Sequence, residues 1–302
     1  MLAELHRVEQ NLNRVILGKA TQIRLALCCL LAEGHLLLED LPGMGKTTLA
    51  HALANAAGLS YKRVQFTNDL LPGDLLGINI YDTRSAQFYF QAGPVFSQVL
   101  LADEINRASP KTQSALLEAM EERQVSIDGE TRPLPSPFFV IATQNPLFHA
   151  GTSALPESQL DRFLFRISLG FPDKAAEKQL LQDESAGSRL QLLTEPLSPE
   201  QLRHLQLQVP KVAINDPVLD YILALVHASR HSKEFLPLSP RAAKAIVRAA
   251  KAMAFVQGRS FVTADDVQQI FPYIAEHRLN PQSLAGEHPL SQLLIQRTPC
   301  QL

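Results

Sequence analysis

The spacing of apolar residues changes character near the middle of the chain. Up to about residue 172, short apolar runs alternate with segments of helical period. "HLLLED" (35–40), "YKRVQFT" (61–67), "QVLLADE" (98–104), "FFVIATQN" (138–145) and "LFRISLG" (164–170) read as strands. "MLAELHRVEQNLNR" reads as an amphipathic helix, and "KTTLAHALANAAG" (46–58) as a helix ended by Gly58. Strands separated by helix-length segments predict a parallel sheet with helices on both faces. Two polar interruptions stand out. Residues 73–93 hold two alternating runs around "DTRS", and residues 123–135 turn at Asp128-Gly129; both predict inserted hairpins. Long projecting segments in a compact α/β domain are more often functional than idle.

The second half is helical throughout. "SPEQLRHL" (198–205) begins with a Ser cap, Pro at the first helical position and Gln three residues after the cap. Segments 215–231, 239–258 and 263–271 carry similar start signals. The expected fold class is therefore an α/β core with a parallel sheet between helices, followed by a small all-helical domain. The expected division is a core over 1–182, a polar linker over 183–197, the helical domain over 198–280, and a loose tail over 281–302.

Composition narrows the class further. The 302 residues are 46% hydrophobic and carry a formal net charge of −2, which fits a globular protein with no basic footprint for nucleic acid. Three cysteines, two of them adjacent at Cys28 and Cys29, make a poor disulfide framework and suit a reducing compartment. The first residues lack the apolar core of a signal peptide, and "LALCCLLA" is too short to span a bilayer. A cytoplasmic protein without membrane insertion is the expectation.

The candidate chemistry lies in "LLLEDLPGMGKTTLA" (36–50), where Gly45-Lys46-Thr47 closes a phosphate-binding loop between a strand and a helix. In such a loop, backbone N–H groups at a helix N-terminus converge on phosphates. Gly43 and Gly45 would let the backbone come close, Lys46 would reach the β and γ phosphates, and Thr47 would hold Mg²⁺. Pro42, Met44 and Thr48 complete the loop. Its outermost glycine position is filled by Asp40 instead, an acid that is expected to point away and accept N–H groups of the turn. "VLLADE" (99–104) ends an apolar strand in two carboxylates. Asp103 would stand beside Mg²⁺ and Glu104 beside the γ-phosphate, where it orients or deprotonates a water. His227 and His231 are spaced i, i+4 but lack an intervening Glu and a third ligand, so they read as a solvated face.

With these motifs in place, "EDLPGMGKTTLA", "RVQFTNDLLPGDLLG", "FQAGPVF", "LLADEINRA", "ALLEAMEERQV", "ATQNP" and "LPESQLDRF" resemble blocks of the MoxR family of AAA+ ATPases, in the same order. The likeness covers 15 to about 172 and extends through the helical lid to about 280. It implies ATP and Mg²⁺ as ligands, and it makes Asp40 a habit of the family. It further implies that Asn145 is sensor 1, although an Asn before Pro146 also starts turns. Arg162 resembles an arginine finger supplied in trans; the plainer alternative is a surface ion pair with Asp161 or Glu157. Arg241 resembles sensor 2, drawn with the lid toward the phosphates when ATP binds, where otherwise it would be a solvated arginine. Arg107 is a candidate intersubunit contact. The resemblance also implies self-association as a ring, a hexamer by family habit, and remodelling of a client through a von Willebrand factor A domain partner. A nucleotide-gated scaffold with little turnover and a DNA-directed motor are the alternatives.

Overall fold

The protein is described by a computed structural model covering residues 2–145, 155–182 and 189–300. Its strands are β1 (Leu36–Glu39), β2 (Tyr61–Gln65), β3 (Gly77–Asp82), β4 (Gln87–Ala92), β5 (Val99–Asp103), β6 (Gln124–Ile127), β7 (Glu130–Pro133), β8 (Phe139–Gln144) and β9 (Phe165–Ile167). The helices of the first half are α1 (Leu2–Val15), α2 (Ala20–Leu31), α3 (Lys46–Ala56), α4 (Pro72–Leu76), α5 (Pro110–Glu122), α6 (Glu157–Leu160) and α7 (Lys174–Gln182). Those of the second are α8 (Pro199–Gln208), α9 (Asp216–His231), α10 (Pro240–Val256), α11 (Ala264–Leu279) and α12 (Pro289–Arg297).

Five strands form a parallel sheet in the order β2-β5-β8-β1-β9. Both faces of β5, β8, β1 and β9 are buried while the edge strand β2 is largely exposed, and in the buried strands alternate residues feed opposite layers. Leu36, Leu38, Leu101 and Ile141 pack with α2, α3 and the helices of the second half. Leu37, Leu100 and Val140 pack instead with Leu116 and Leu117 of α5. This period of two with no polar face is what a sheet covered on both sides requires. Leu36, Leu37 and Leu38 are each 0% exposed, so truncating one of them would cost about 2–5 kcal/mol.

Two antiparallel hairpins leave this core. β3 and β4 pair from Gly77↔Ala92 to Asp82↔Gln87, and β6 and β7 turn through Asp128 and Gly129 at positive φ. They are tied to each other by Asn79 Nδ2 donating to Asp128 Oδ2 at 2.7 Å and by Arg132 lying 4.2 Å over the Phe90 ring. Phe88 is 71% exposed, and Tyr81 and Tyr89 are also open to solvent.

The helical half differs from expectation in three places. Helix α11 continues through Pro272 to Leu279, because Ile274, Ala275 and Leu279 extend its buried face. The region expected to be a loose tail contains α12, whose Leu294 lies in the core. Buried Glu276 of α11 accepts the backbone N–H groups of Leu290 at 3.3 Å and Ser291 at 2.8 Å, supplying first-turn partners that α12 lacks by itself. Of the expected linker 183–197, residues 183–188 fall outside the described set. Leu197 is not linker-like, since it is buried and its N–H donates to Ala56 O at 2.9 Å.

Candidate nucleotide site

Strands β5, β8 and β1 are neighbours and run the same way, so their C-terminal ends meet at one edge of the sheet. The loop from β1, the pair Asp103-Glu104 and Asn145 are thereby brought together. Gly43 (φ 84°) and Gly45 (φ 86°) both take left-handed backbone, and a Cβ on either would meet nothing within 4 Å. Backbone conformation therefore demands glycine here, while the space above the loop is open to a ligand. Gly45 caps α3, whose first N–H groups point into that space. Pro42 and Gly43 are exposed, and Met44, Thr47 and Thr48 are half-buried on the loop and first turn.

The Lys46 ammonium donates to Asp40 O at 2.5 Å, Leu41 O at 3.0 Å and Asn145 Oδ1 at 3.2 Å. Burial pushes its pKa down, opposed by the carboxylates of Asp40, Asp103, Glu104 and Glu39. Asn145 spans the site, since its Nδ2 donates to Glu104 Oε1 at 2.8 Å. The Asp40 carboxylate is turned away from the loop. It accepts the N–H groups of Leu169 and Gly170 and the hydroxyl of Ser168, so its partners belong to the segment after β9 and not to its own turn.

Strands β2 and β8 add residues to which the sequence analysis assigned no role. Buried Thr143 donates to Asp103 Oδ1 at 2.5 Å and accepts the N–H of Glu104 at 2.9 Å, so one hydroxyl orients both acids. Arg63 grips Asp103 Oδ2 through Nε at 3.0 Å and Nη2 at 2.6 Å. Gln65 donates to Glu104 Oε2 at 2.7 Å. Arg107 also pairs with Glu104 Oε2, at 3.0 Å within the same chain. Glu104 sits at φ 56°, a strained backbone of the kind that concentrates at functional sites. The signal for Arg63 and Gln65 was available, because alternation in "YKRVQ" puts both on one strand face. The donors fit a Mg²⁺–triphosphate group. A hydroxyl and a carboxylate are hard oxygen ligands, and the left-handed glycines leave room for phosphate against the α3 N-terminus.

Arg162 and Arg241 lie elsewhere. Arg162 precedes β9, which is parallel to β1 with Leu36↔Phe165, so it occupies the edge where strands begin. Arg162 Nη2 meets Glu121 Oε2 at 3.2 Å, and Arg241 Nη2 pairs with the other oxygen of the same carboxylate. Asp161 adds a contact to Arg241 at 3.9 Å and a 2.6 Å bridge to Arg278. These groups open into a cleft of about 690 Å³ that also touches Gly34 and His35, at the start of β1. The loop leaves from the end of β1, at least a strand length away, roughly 13 Å. Arg241 stands away from its own chain's loop. The packing of α10 carries it to the opposite edge, beside Arg162.

A family model described as ATPase family associated with various cellular activities (AAA) matches residues 35–165, and an AAA lid domain model matches 228–296. The chain is 39% identical to Chaperone MoxR1 of Mycobacterium tuberculosis over 92% of its own length and 77% of that protein. The chain belongs to the MoxR family of AAA+ ATPases. It is also 44% identical to YeaC of Bacillus subtilis, over 91% of this chain and 86% of that one. The crystal structure of a protein from Cytophaga hutchinsonii, assigned there as an ATPase, superposes with a TM-score of 0.88 at 33% identity, covering 100% of this chain and 96% of the other. The fold class expected from the pattern is this one, and the chain is an ATP-hydrolysing MoxR-family enzyme. Among the described residues no helix is long and apolar enough to cross a membrane.

Proposed function

We propose that this MoxR-family ATPase hydrolyses Mg²⁺-bound ATP in a head-to-tail ring, a hexamer by family habit, and uses the cycle to remodel a partner protein in the cytoplasm. The observation that carries the reading is the separation of the arginines from the loop. Acids, lysine and sensor amide meet at one edge of the sheet, while Arg162 and Arg241 share Glu121 at the other. A chain built this way completes its site only against a second copy, and a heterologous contact that repeats closes into a ring.

In the proposed site, N–H groups of residues 43–48 and the Lys46 ammonium bind the phosphates, and Thr47 and Asp103 hold Mg²⁺. The metal neutralises charge on the phosphate oxygens when bound. Glu104 takes a proton from the attacking water, with Asn145 fixing its Oε1 at 2.8 Å and Thr143 fixing its backbone. Arg162 from the neighbouring copy stabilises charge developing on the γ-phosphate, with Arg241 beside it. The name of the Mycobacterium relative supports a chaperone-like role, and family resemblance supports a von Willebrand factor A domain partner. The exposed aromatic residues of the β3–β4 hairpin offer the surface for a client, braced by the polar β6–β7 hairpin.

Glu104→Gln tests the chemistry. The variant is expected to bind ATP and assemble like the wild type while turnover falls by about 10²–10⁴. Equal turnover in the two proteins would sink the assignment of Glu104.

A further inference from the structure

The cleft at the far edge holds more positive charge than Arg162 and Arg241 supply. Arg123, Lys244, Arg248 and Arg278 line it as well, giving six cations with the first two. The carboxylates facing them are Glu33, Glu121 and Asp161, so the cleft carries an excess of three positive charges (6 − 3) in a chain whose net charge is −2. Partners divide these cations unevenly. Arg123 is bridged to Glu33 at 2.7 Å, and Arg278 is consumed by Asp161 and by the carbonyls of Ile274 and Phe163. Arg162 keeps a buried Nε with no acceptor among the described residues. Lys244 and Arg248 make no hydrogen bond or close ion pair among the described residues, although the Glu33 carboxylate, already bridged to Arg123, lies near enough to act on Arg248.

Arg241, Lys244 and Arg248 are spaced i, i+3, i+7, so they share one face of α10 over about 10 Å. Three cations in a row along a cleft, two of them without a close partner among the described residues, form a track for an extended polyanion. His35 on the same wall adds no charge near neutrality, because burial pushes its pKa down to about 3.

We propose that Lys244 and Arg248 form, with Arg162 and Arg241, a polyphosphate receptor that takes the triphosphate bound to the loop of a second copy of this chain. The proposal rests on the head-to-tail reading above and extends it to two residues outside any motif. The nucleotide chemistry follows from the other edge, which presents a triphosphate on an open loop. Glu121 serves as the placeholder, holding Arg162 and Arg241 side by side until the stronger anion displaces it. Lys244 and Arg248 then act as positioning residues along the phosphate chain and on approach of the neighbour.

The test uses full-length chains carrying Lys244→Ala together with Arg248→Ala. Fluorescent-ATP binding by dilute chains and the melting temperature should match the wild type. The ATP concentration for half-maximal turnover and for ring assembly should rise by roughly tenfold or more. Mixing the double variant with Lys46→Ala chains should restore turnover at low ATP, because each partner supplies the edge the other lacks. Lys244→Arg with Arg248→Lys should behave like the wild type. Three results overturn the proposal. One is wild-type half-saturation in the double variant while Arg162→Ala and Lys46→Ala chains complement each other, which leaves the head-to-tail reading intact. Another is failure of that second pair to complement, which removes the reading itself. The third is tripolyphosphate bound by dilute Lys46→Ala chains and lost on adding the double substitution, which assigns the cleft to free polyphosphate instead.

Discussion

The two edges of the sheet are built on opposite principles. At the C-terminal edge every charged group is already held by its neighbours. Lys46 spends its protons on two carbonyls and an amide, and Asp103 and Glu104 share the Thr143 hydroxyl. That edge is organised by its own side chains, and Lys46 must release at least one of these acceptors to reach phosphate. At the N-terminal edge cations outnumber carboxylates, one acid serves two arginines, and two basic side chains make no hydrogen bond or close ion pair among the described residues. Such an edge is complete only when an anion arrives. One chain thus carries a phosphate-binding loop and, about a strand length away, a cleft with an excess of positive charge.

The largest effect on this contrast should come from Arg162→Ala. Turnover is expected to fall by about 10³–10⁵ while ATP binding by isolated chains stays nearly unchanged. Loss of binding instead would make Arg162 a structural residue of its own chain. A smaller effect is expected at the C-terminal edge. Thr143→Val keeps the shape of the core but removes the hydroxyl between Asp103 and Glu104, and steady-state turnover should drop by roughly 10–100-fold with the melting temperature little changed. A wild-type rate would mean the acids need no such support.

Much of the first edge was legible in the sequence because its parts are local. Gly43, Gly45 and Lys46 lie on one loop, and the acids end an apolar strand whose neighbours are set by motif. Arg63 and Thr143 were missed because a single polar residue inside a strand acquires its partner from sheet order. The pairing β2-β5-β8 that puts Arg63 opposite Leu101 and Gln65 opposite Asp103 joins residues far apart in the chain. The second edge was harder still. Arg241 was recognisable by its motif, but its company depends on how α10 packs across the core, which no local pattern encodes. The C-terminal helix had a readable signal in Pro289 at the first helical position, and its stability comes from buried Glu276 on another helix.

The smallest effect concerns the wall of the second edge. His35 Nδ1 accepts the N–H of Val140 at 3.0 Å and its Nε2 lies 3.3 Å from Met120 O, joining the start of β1 to β8 and α5. Its pKa is pushed down to about 3 by burial, against 6.5 for the free side chain. The unfolded chain therefore takes up a proton that the folded chain refuses. Stability present above pH 6.5 is lost as pH falls toward 3, by about 1.4 kcal/mol per unit for one histidine. His277, also lowered by burial, adds to the same slope. Denaturant titrations between pH 5 and 8 should show it, and His35→Asn should flatten it; an unchanged slope would locate the effect elsewhere.

The central claim is that each active site spans two copies. It is tested most directly by mixing Lys46→Ala chains, which keep Arg162, with Arg162→Ala chains, which keep the loop. Each alone should be inactive. The mixture should regain turnover, since random head-to-tail assembly pairs an intact loop with an intact arginine at roughly a quarter of its interfaces. A mixture that co-assembles, as shown by subunit exchange, yet remains as inactive as its parents would contradict the account.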